Sequence, residues 1–149
     1  MKIRKLLASV LTGLAMAVTV GQLPAAAAPA WVETFTSGTY RAVISGDCAS
    51  FGEAVFGCPW PGDDSFNVRD TLADGHSAAI VWQNFVDGAL YRRGACVEKR
   101  GNGAEGSCNM NFYEGSEVQI RACTYESGRS GTVADKIVQC GPSGPAFRM

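Results

Sequence analysis

Beyond residue 38 the chain alternates apolar and polar positions with a period of two, and no amphipathic helix of helical length interrupts it. Thr39 to Ser45, T-Y-R-A-V-I-S between Gly38 and Gly46, is expected as a first strand because it is β-branched and aromatic between flexible residues. Asp47 to Asp64 is irregular; Pro59 and Pro61 flank Trp60 and withhold backbone donors, so a loop is expected, with one helical turn over Phe51 to Val55. The densest pattern runs from Phe66 to Phe85, where a strand, an Asp74-Gly75 turn and a longer strand around Ile80 and Trp82 predict a central hairpin. On that second strand Ala78, Ile80 and Trp82 share one face and Ala79, Val81 and Gln83 the other. Asp87-Gly88 predicts another turn, and Ala89 to Glu98 another strand.

Lys99 to Ser107 reads as a loop, followed by a strand over Ser107 to Tyr113 with Cys108, Met110 and Phe112 on one side. In the strand from Ser116 to Tyr125, Val118, Ile120 and Ala122 face inward against Glu117, Gln119 and Arg121. Cys123 falls on the polar side of that register, so its bridge is expected on the surface or after a bulge. Thr132 to Cys140 is the last expected strand, and residues 142–149 a tail. The whole predicts an all-β fold: an antiparallel β-sandwich or partly closed barrel of about six to seven strands, a single domain over residues 31–141.

The first 30 residues follow a different logic. A basic start (Lys2, Arg4, Lys5) precedes an uncharged apolar run from Leu6 to Val20 and small residues from Ala25 to Ala30, the three parts of a secretory signal. Cleavage is expected after Ala27 or Ala30. The apolar run is short beside the ~20 residues that span a bilayer, which disfavours an uncleaved anchor. Ala28 to Ser37 is then a loose lead-in in which Trp31, Val32 and Phe35 pack on the domain edge. Removing the leader takes three basic residues away and leaves ten against fourteen acidic ones. That balance excludes the basic stripe of a nucleic-acid binder and the polybasic docking of a peripheral membrane protein. The expected locale is secreted, with no membrane association after cleavage.

Six cysteines follow the leader: Cys48, Cys58, Cys96, Cys108, Cys123 and Cys140. An even number behind an export signal reads as disulfides, and six allow fifteen pairings. The sequential set Cys48–Cys58, Cys96–Cys108 and Cys123–Cys140 is favoured because each closes a short loop on an expected hairpin. No C-x-x-C is present and His76 is the sole histidine, so no metal and no cofactor is expected.

Candidate chemistry is sparse. Gly101, Gly103 and Gly106 spell G-x-G-x-x-G, but the flanks are cysteines and strands where a dinucleotide site needs a helix, so a hairpin loop is expected. His76 lies beside Ser77 and near Asp70 and Asp74, yet adjacent strand residues point apart and cannot act as base and nucleophile; it is expected to pack on Arg69 or Asp70 across the hairpin. Asp63, Asp64, Asp70, Asp74 and Asp87 carry oxygen ligands without the spacing of a calcium loop and serve turns. Two patches remain as binding candidates: Phe51, Phe56 and Trp60, otherwise a plug on one end of the sandwich, and Tyr91, Arg92 and Arg93, otherwise a solvated strand face.

R-D-T-L-A-D-G-H-S-A from Arg69, Val81-Trp82, and R-A-C-T-Y-E-S-G from Arg121 resemble small secreted, disulfide-containing actinobacterial proteins. The resemblance implies export, β-structure and disulfides; most such proteins have no assigned activity, and it transfers no catalytic residue. The expectation is therefore a non-enzymatic extracellular β-domain that binds a protein or carbohydrate or belongs to the envelope or matrix. A protease inhibitor presenting the Cys96–Cys108 loop, and a small hydrolase using His76 or a carboxylate pair, are the alternatives.

Overall fold

The computed structural model describes residues 27–40, 48–51, 55–60 and 64–149, without the side chains of residues 55, 56, 58 and 60. The signal segment and the strand expected from Thr39 to Ser45 lie, in whole or in most part, outside the described residues; Thr39 and Tyr40 themselves are not in a strand.

Two sheets form the fold. The larger contains β1 (Trp31–Phe35), β5 (Ser77–Val86), β6 (Ala89–Glu98), β8 (Glu117–Tyr125), β9 (Ile137–Cys140) and β10 (Phe147–Arg148), ordered β1-β6-β5-β8, with β9 and β10 sharing the far side of β8. The smaller contains β2 (Ala49–Phe51), β3 (Val55–Trp60), β4 (Ser65–Asp70) and β7 (Glu105–Asn109), ordered β2-β3-β4-β7. The all-β expectation holds, and the arrangement is an open sandwich with no closed barrel. Its pairing is antiparallel except at β1, which runs parallel to β6. The expected lead-in is thus a strand, because Trp31 and Phe35 have an apolar surface to cover.

The largest correction concerns the predicted hairpin. β4 pairs with β3 and β7, and β5 pairs with β6 and β8, so the Asp74-Gly75 turn carries the chain from one sheet to the other. A primed hairpin turn needs positive φ at both central residues. Here Gly75 has φ +81° but Asp74 does not; its carboxylate instead accepts the His76 N–H at 2.9 Å. Both conditions are met at Asp87 (φ +50°) and Gly88 (φ +77°), which join β5 to β6 as a true hairpin.

The segment expected as a loop also differs. Phe51 ends β2 and Val55 begins β3, the rest of the helical turn expected between them lies outside the described residues, and Pro59 pairs with Phe66. β2 covers β3 only through Gly57, so Pro59 sits where β3 has become an edge and its missing donor is tolerated. The expected strand over Ser107–Tyr113 stops at Asn109, although Met110 and Phe112 still turn into the core. The sole helix among the described residues is one turn, α1 (Val133–Lys136), capped by reciprocal bonds between Thr132 and Asp135.

Between the sheets, Phe66, Val68, Ile80, Trp82, Phe112, Val118 and Ile120 form the main core. Phe112 meets Phe66 and Trp82 edge-on, with centroids 5.5 and 5.2 Å apart. Gly94 lets Trp82 and the Val32 carbonyl approach where a Cβ would stand. A second apolar cluster lies on the opposite face of the large sheet, where Ala79, Val81, Ala95, Val97, Cys123 and Tyr125 pack with Val133, Trp31 and Ile137. This outer layer explains Cys123: it occupies the outward register without a surface bridge, and it is fully buried.

Two disulfides tie these layers. Cys96–Cys108 joins β6 to β7 and therefore one sheet to the other, not the arms of a hairpin. Cys123–Cys140 joins directly paired residues of β8 and β9. Cys48 is also disulfide-bonded; the side chain of its expected partner, Cys58, lies outside the described residues. Among the described residues no helix is long and apolar enough to cross a membrane.

Candidate functional site

The outer face of the large sheet can be read row by row from its ladders. One row is Phe35, Val97, Ala79, Cys123 and Cys140, entirely apolar. The next is Glu33, Ala95, Val81 and Arg121, half apolar; the third is Trp31, Arg93, Gln83 and Gln119, mostly polar. The face thus grades from a part covered by α1 and β9 to a part that the described residues leave open.

At the boundary, Glu33 accepts hydrogen bonds from Tyr125 Oη and Lys136 Nζ, each at 2.7 Å. Burial alone would raise the Glu33 carboxyl, but those two donors outweigh it and hold the group below the ordinary glutamate range. Burial, and then the Glu33 carboxylate accepting its proton, pushes the Tyr125 phenol well above the usual range. This network anchors α1 and β1 to the sheet and is the wall at which the open part begins.

The open part holds a hollow of about 320 Å³ with Trp31, Gln83, Gln119, Arg121, Ile137 and Ser143 around it. Gln119 also borders a hollow of about 390 Å³ toward Phe85, Glu117 and Arg148. Trp31 borders another, of about 380 Å³, lined by Pro29, Arg93 and Thr132. One lining residue shared on each side, Gln119 and Trp31, sets the three hollows in a row across the sheet, and this row is the trough. Of its three arginines, Arg121 Nε donates to Ser143 Oγ at 2.7 Å, Arg93 Nε donates to the Pro29 carbonyl at 2.8 Å, and Arg148 borders the hollow beside Glu117. The Arg93 guanidinium also lies 4.5 Å from the Trp31 ring centre. By contrast, the paired Gln83 and Gln119 side chains make no hydrogen bond to protein among the described residues.

The sequence-predicted residues are dispersed. Phe51 packs partly buried against the main core, while the side chains of Phe56 and Trp60 lie outside the described residues. The Tyr91-Arg92-Arg93 patch separates. Tyr91 is 55% exposed, and Arg93 joins the trough. Arg92 turns to the main core, donating to the Asn111 carbonyl at 2.9 Å with its guanidinium over Phe112 and Trp82.

His76 does not meet Arg69 or Asp70 across a hairpin; its Nδ1 lies 3.6 Å from Glu126 Oε1, and Ser77 Oγ pairs with Ser127 Oγ instead. No serine hydroxyl bonds His76 among the described residues. The glycine-rich stretch links β6 to β7 across the two sheets, where a hairpin loop was expected. Its Arg100 folds inward onto Glu98. Asp63 lies outside the described residues, and within them no group of three or more His, Cys, Asp or Glu side chains could hold a metal ion.

Glu98 is fully buried, with both oxygens occupied. Oε1 accepts from Arg100 N and Nε at 3.0 and 2.8 Å, and Oε2 from Thr36 Oγ1 at 2.7 Å and from Arg100 Nη2. Burial works to raise this carboxyl, and the Arg100 and Thr36 bonds prevail and lower it. Asp70 is also buried, and burial, reinforced by Asp74 and Glu98, raises its carboxyl. Glu98 has no oxygen free to activate a water, so its geometry is that of a structural cage.

Gln119 and Arg121 were legible as outward positions, Gln83 as sharing a face with Ala79 and Val81, and Trp31 as an aromatic near the start. What alternation could not supply was the strand order that sets β1 beside β6 and so puts Trp31 in the same row. Compared with models of protein families, with curated proteins and with solved structures, the chain finds no match in any of the three.

Proposed function

We propose that the chain is an exported, non-enzymatic β-domain that binds an extracellular or envelope component on the open part of its large sheet. The observation that carries this reading is the trough centred on Gln83 and Gln119, whose amides make no hydrogen bond to protein among the described residues. Paired amides with both donor and acceptor capacity on a disulfide-tied sheet are recognition groups.

Export is supported by the leader pattern, the resemblance to secreted actinobacterial proteins and the disulfides. Cleavage after Ala27 is the better of the two candidates, because it retains the Pro29 carbonyl that receives Arg93.

The test is co-sedimentation of the purified mature protein with isolated bacterial cell envelopes. Retention is expected, reduced at least tenfold in Gln83→Lys, whose longer charged side chain fills the hollow. A protein that stays in the supernatant with every envelope preparation would overturn the reading. So would hydrolysis of an envelope polymer that is lost in His76→Ala.

A further inference from the structure

Resting on that reading, we propose that the trough takes a neutral polysaccharide, seating a pyranose unit in the central hollow with the polymer continuing into the hollows on either side. The hydrogen-bonding inventory selects the ligand. Each glutamine amide presents one acceptor oxygen and two donor hydrogens. Directly paired residues on neighbouring strands stand ~5 Å apart at Cβ, so Gln83 and Gln119 offer two donor–acceptor sets side by side. Hydroxyl groups both donate and accept, and adjacent sugar hydroxyls match such a pair without leaving an amide oxygen unpaired.

An anionic ligand fits less well. Carboxylate and phosphate oxygens only accept, so both amide oxygens would lose solvent without gaining a donor. The three arginines along the trough, Arg93, Arg121 and Arg148, are matched in the same lining by Glu33, Asp87 and Glu117, so it offers an anion no net positive charge. A peptide strand is also disfavoured, because this is the face of a paired sheet and its backbone groups are already in ladders.

Shape agrees with the chemistry. The central hollow, about 320 Å³, lies at the low end of the ~300–1,000 Å³ typical of small-molecule sites, suiting one or two rings. Trp31 and Ile137 supply apolar walls against which the C–H face of a pyranose can rest. Gln119 and Trp31 each open onto a further hollow, so a bound unit has an exit in both directions.

The experiment has two arms on the intact mature protein. In the first, side-chain amide and indole resonances are followed by NMR during titration with cellohexaose, chitohexaose, maltohexaose, xylohexaose and polygalacturonate. Saturable shifts of the Gln83 and Gln119 amides and the Trp31 indole are expected with at least one neutral oligosaccharide. Affinity should fall at least tenfold in Gln83→Ala and in Gln119→Ala, with near-ultraviolet circular dichroism unchanged. Response to polygalacturonate alone, or to none of the five, would overturn the proposal. In the second arm, envelopes are treated with periodate, which cleaves vicinal diols, or with protease before sedimentation. Retention lost with periodate and kept after protease supports the glycan; the reverse removes the glycan and leaves the binding reading intact. Absence of retention on untreated envelopes removes both.

Discussion

Glu98 is the residue on which the end of the sandwich closes. Its carboxylate gathers donors from Thr36, 62 positions away, and from Arg100, two positions away. Its sign with pH follows from the lowered carboxyl: the stabilisation is present above the ordinary glutamate range and is lost as pH falls through the lowered folded value. Glu98→Gln removes the charge from those bonds and is expected to lower stability at pH 7 by about 1.5–3 kcal/mol, measured by urea denaturation. The deficit should shrink as the pH is taken well below 4.

Asp70 has the opposite sign. Its raised carboxyl opposes folding at neutral pH and ceases to do so as pH falls through the raised value, so Asp70→Asn is expected to gain stability at pH 7 and lose that gain in acid. Neither role was legible locally. Glu98 ends β6 just before the charged pair Lys99-Arg100 and Asp70 sits in a turn-rich run, and burial at both is conferred by segments distant in the chain.

At the level of elements, the period-two pattern identified β5, β6 and β8 and, for β8, the residues that face inward. It did not identify partners. Alternation reports which side of a strand is buried, whereas Asp74-Gly75 can turn a chain within a sheet or between sheets. What settles the matter is that β4 completes the smaller sheet against β3 and β7.

The same ambiguity hid the nature of Cys96–Cys108, whose pairing was anticipated but whose span between sheets was not. Cys96→Ala with Cys108→Ala should destabilise by about 3 kcal/mol on loop entropy, read as a lower denaturation midpoint. Gly94 is the complementary case, a place where two elements meet at backbone distance. Gly94→Ala would drive a methyl group into the Trp82 ring and the Val32 carbonyl, and should cost about 1–3 kcal/mol in a thermal melt.

For the molecule as a whole, fold class and the value of the cysteines could be read from residue order, while the outer layer could not. It is assembled from β1, α1 and β9, none of which has a strong pattern of its own and each of which acquires order by covering the same apolar rows. A candidate site that depends on this layer was correspondingly invisible. The oxidised chain is expected to weigh less than the reduced one by one hydrogen for every cysteine, as measured by intact-mass spectrometry; residual free thiol would count against the staple framework.

The margins of the large sheet carry a last consequence. One margin is the five-residue β1; the other is β9 and β10, four and two residues long, separated by a stretch containing Pro142 and Pro145. Short, proline-broken borders are poor templates for strand addition. Chain-to-chain zippering into fibres is thereby discouraged at high local concentration, and a visitor is directed away from the rim and onto the broad side of the sheet.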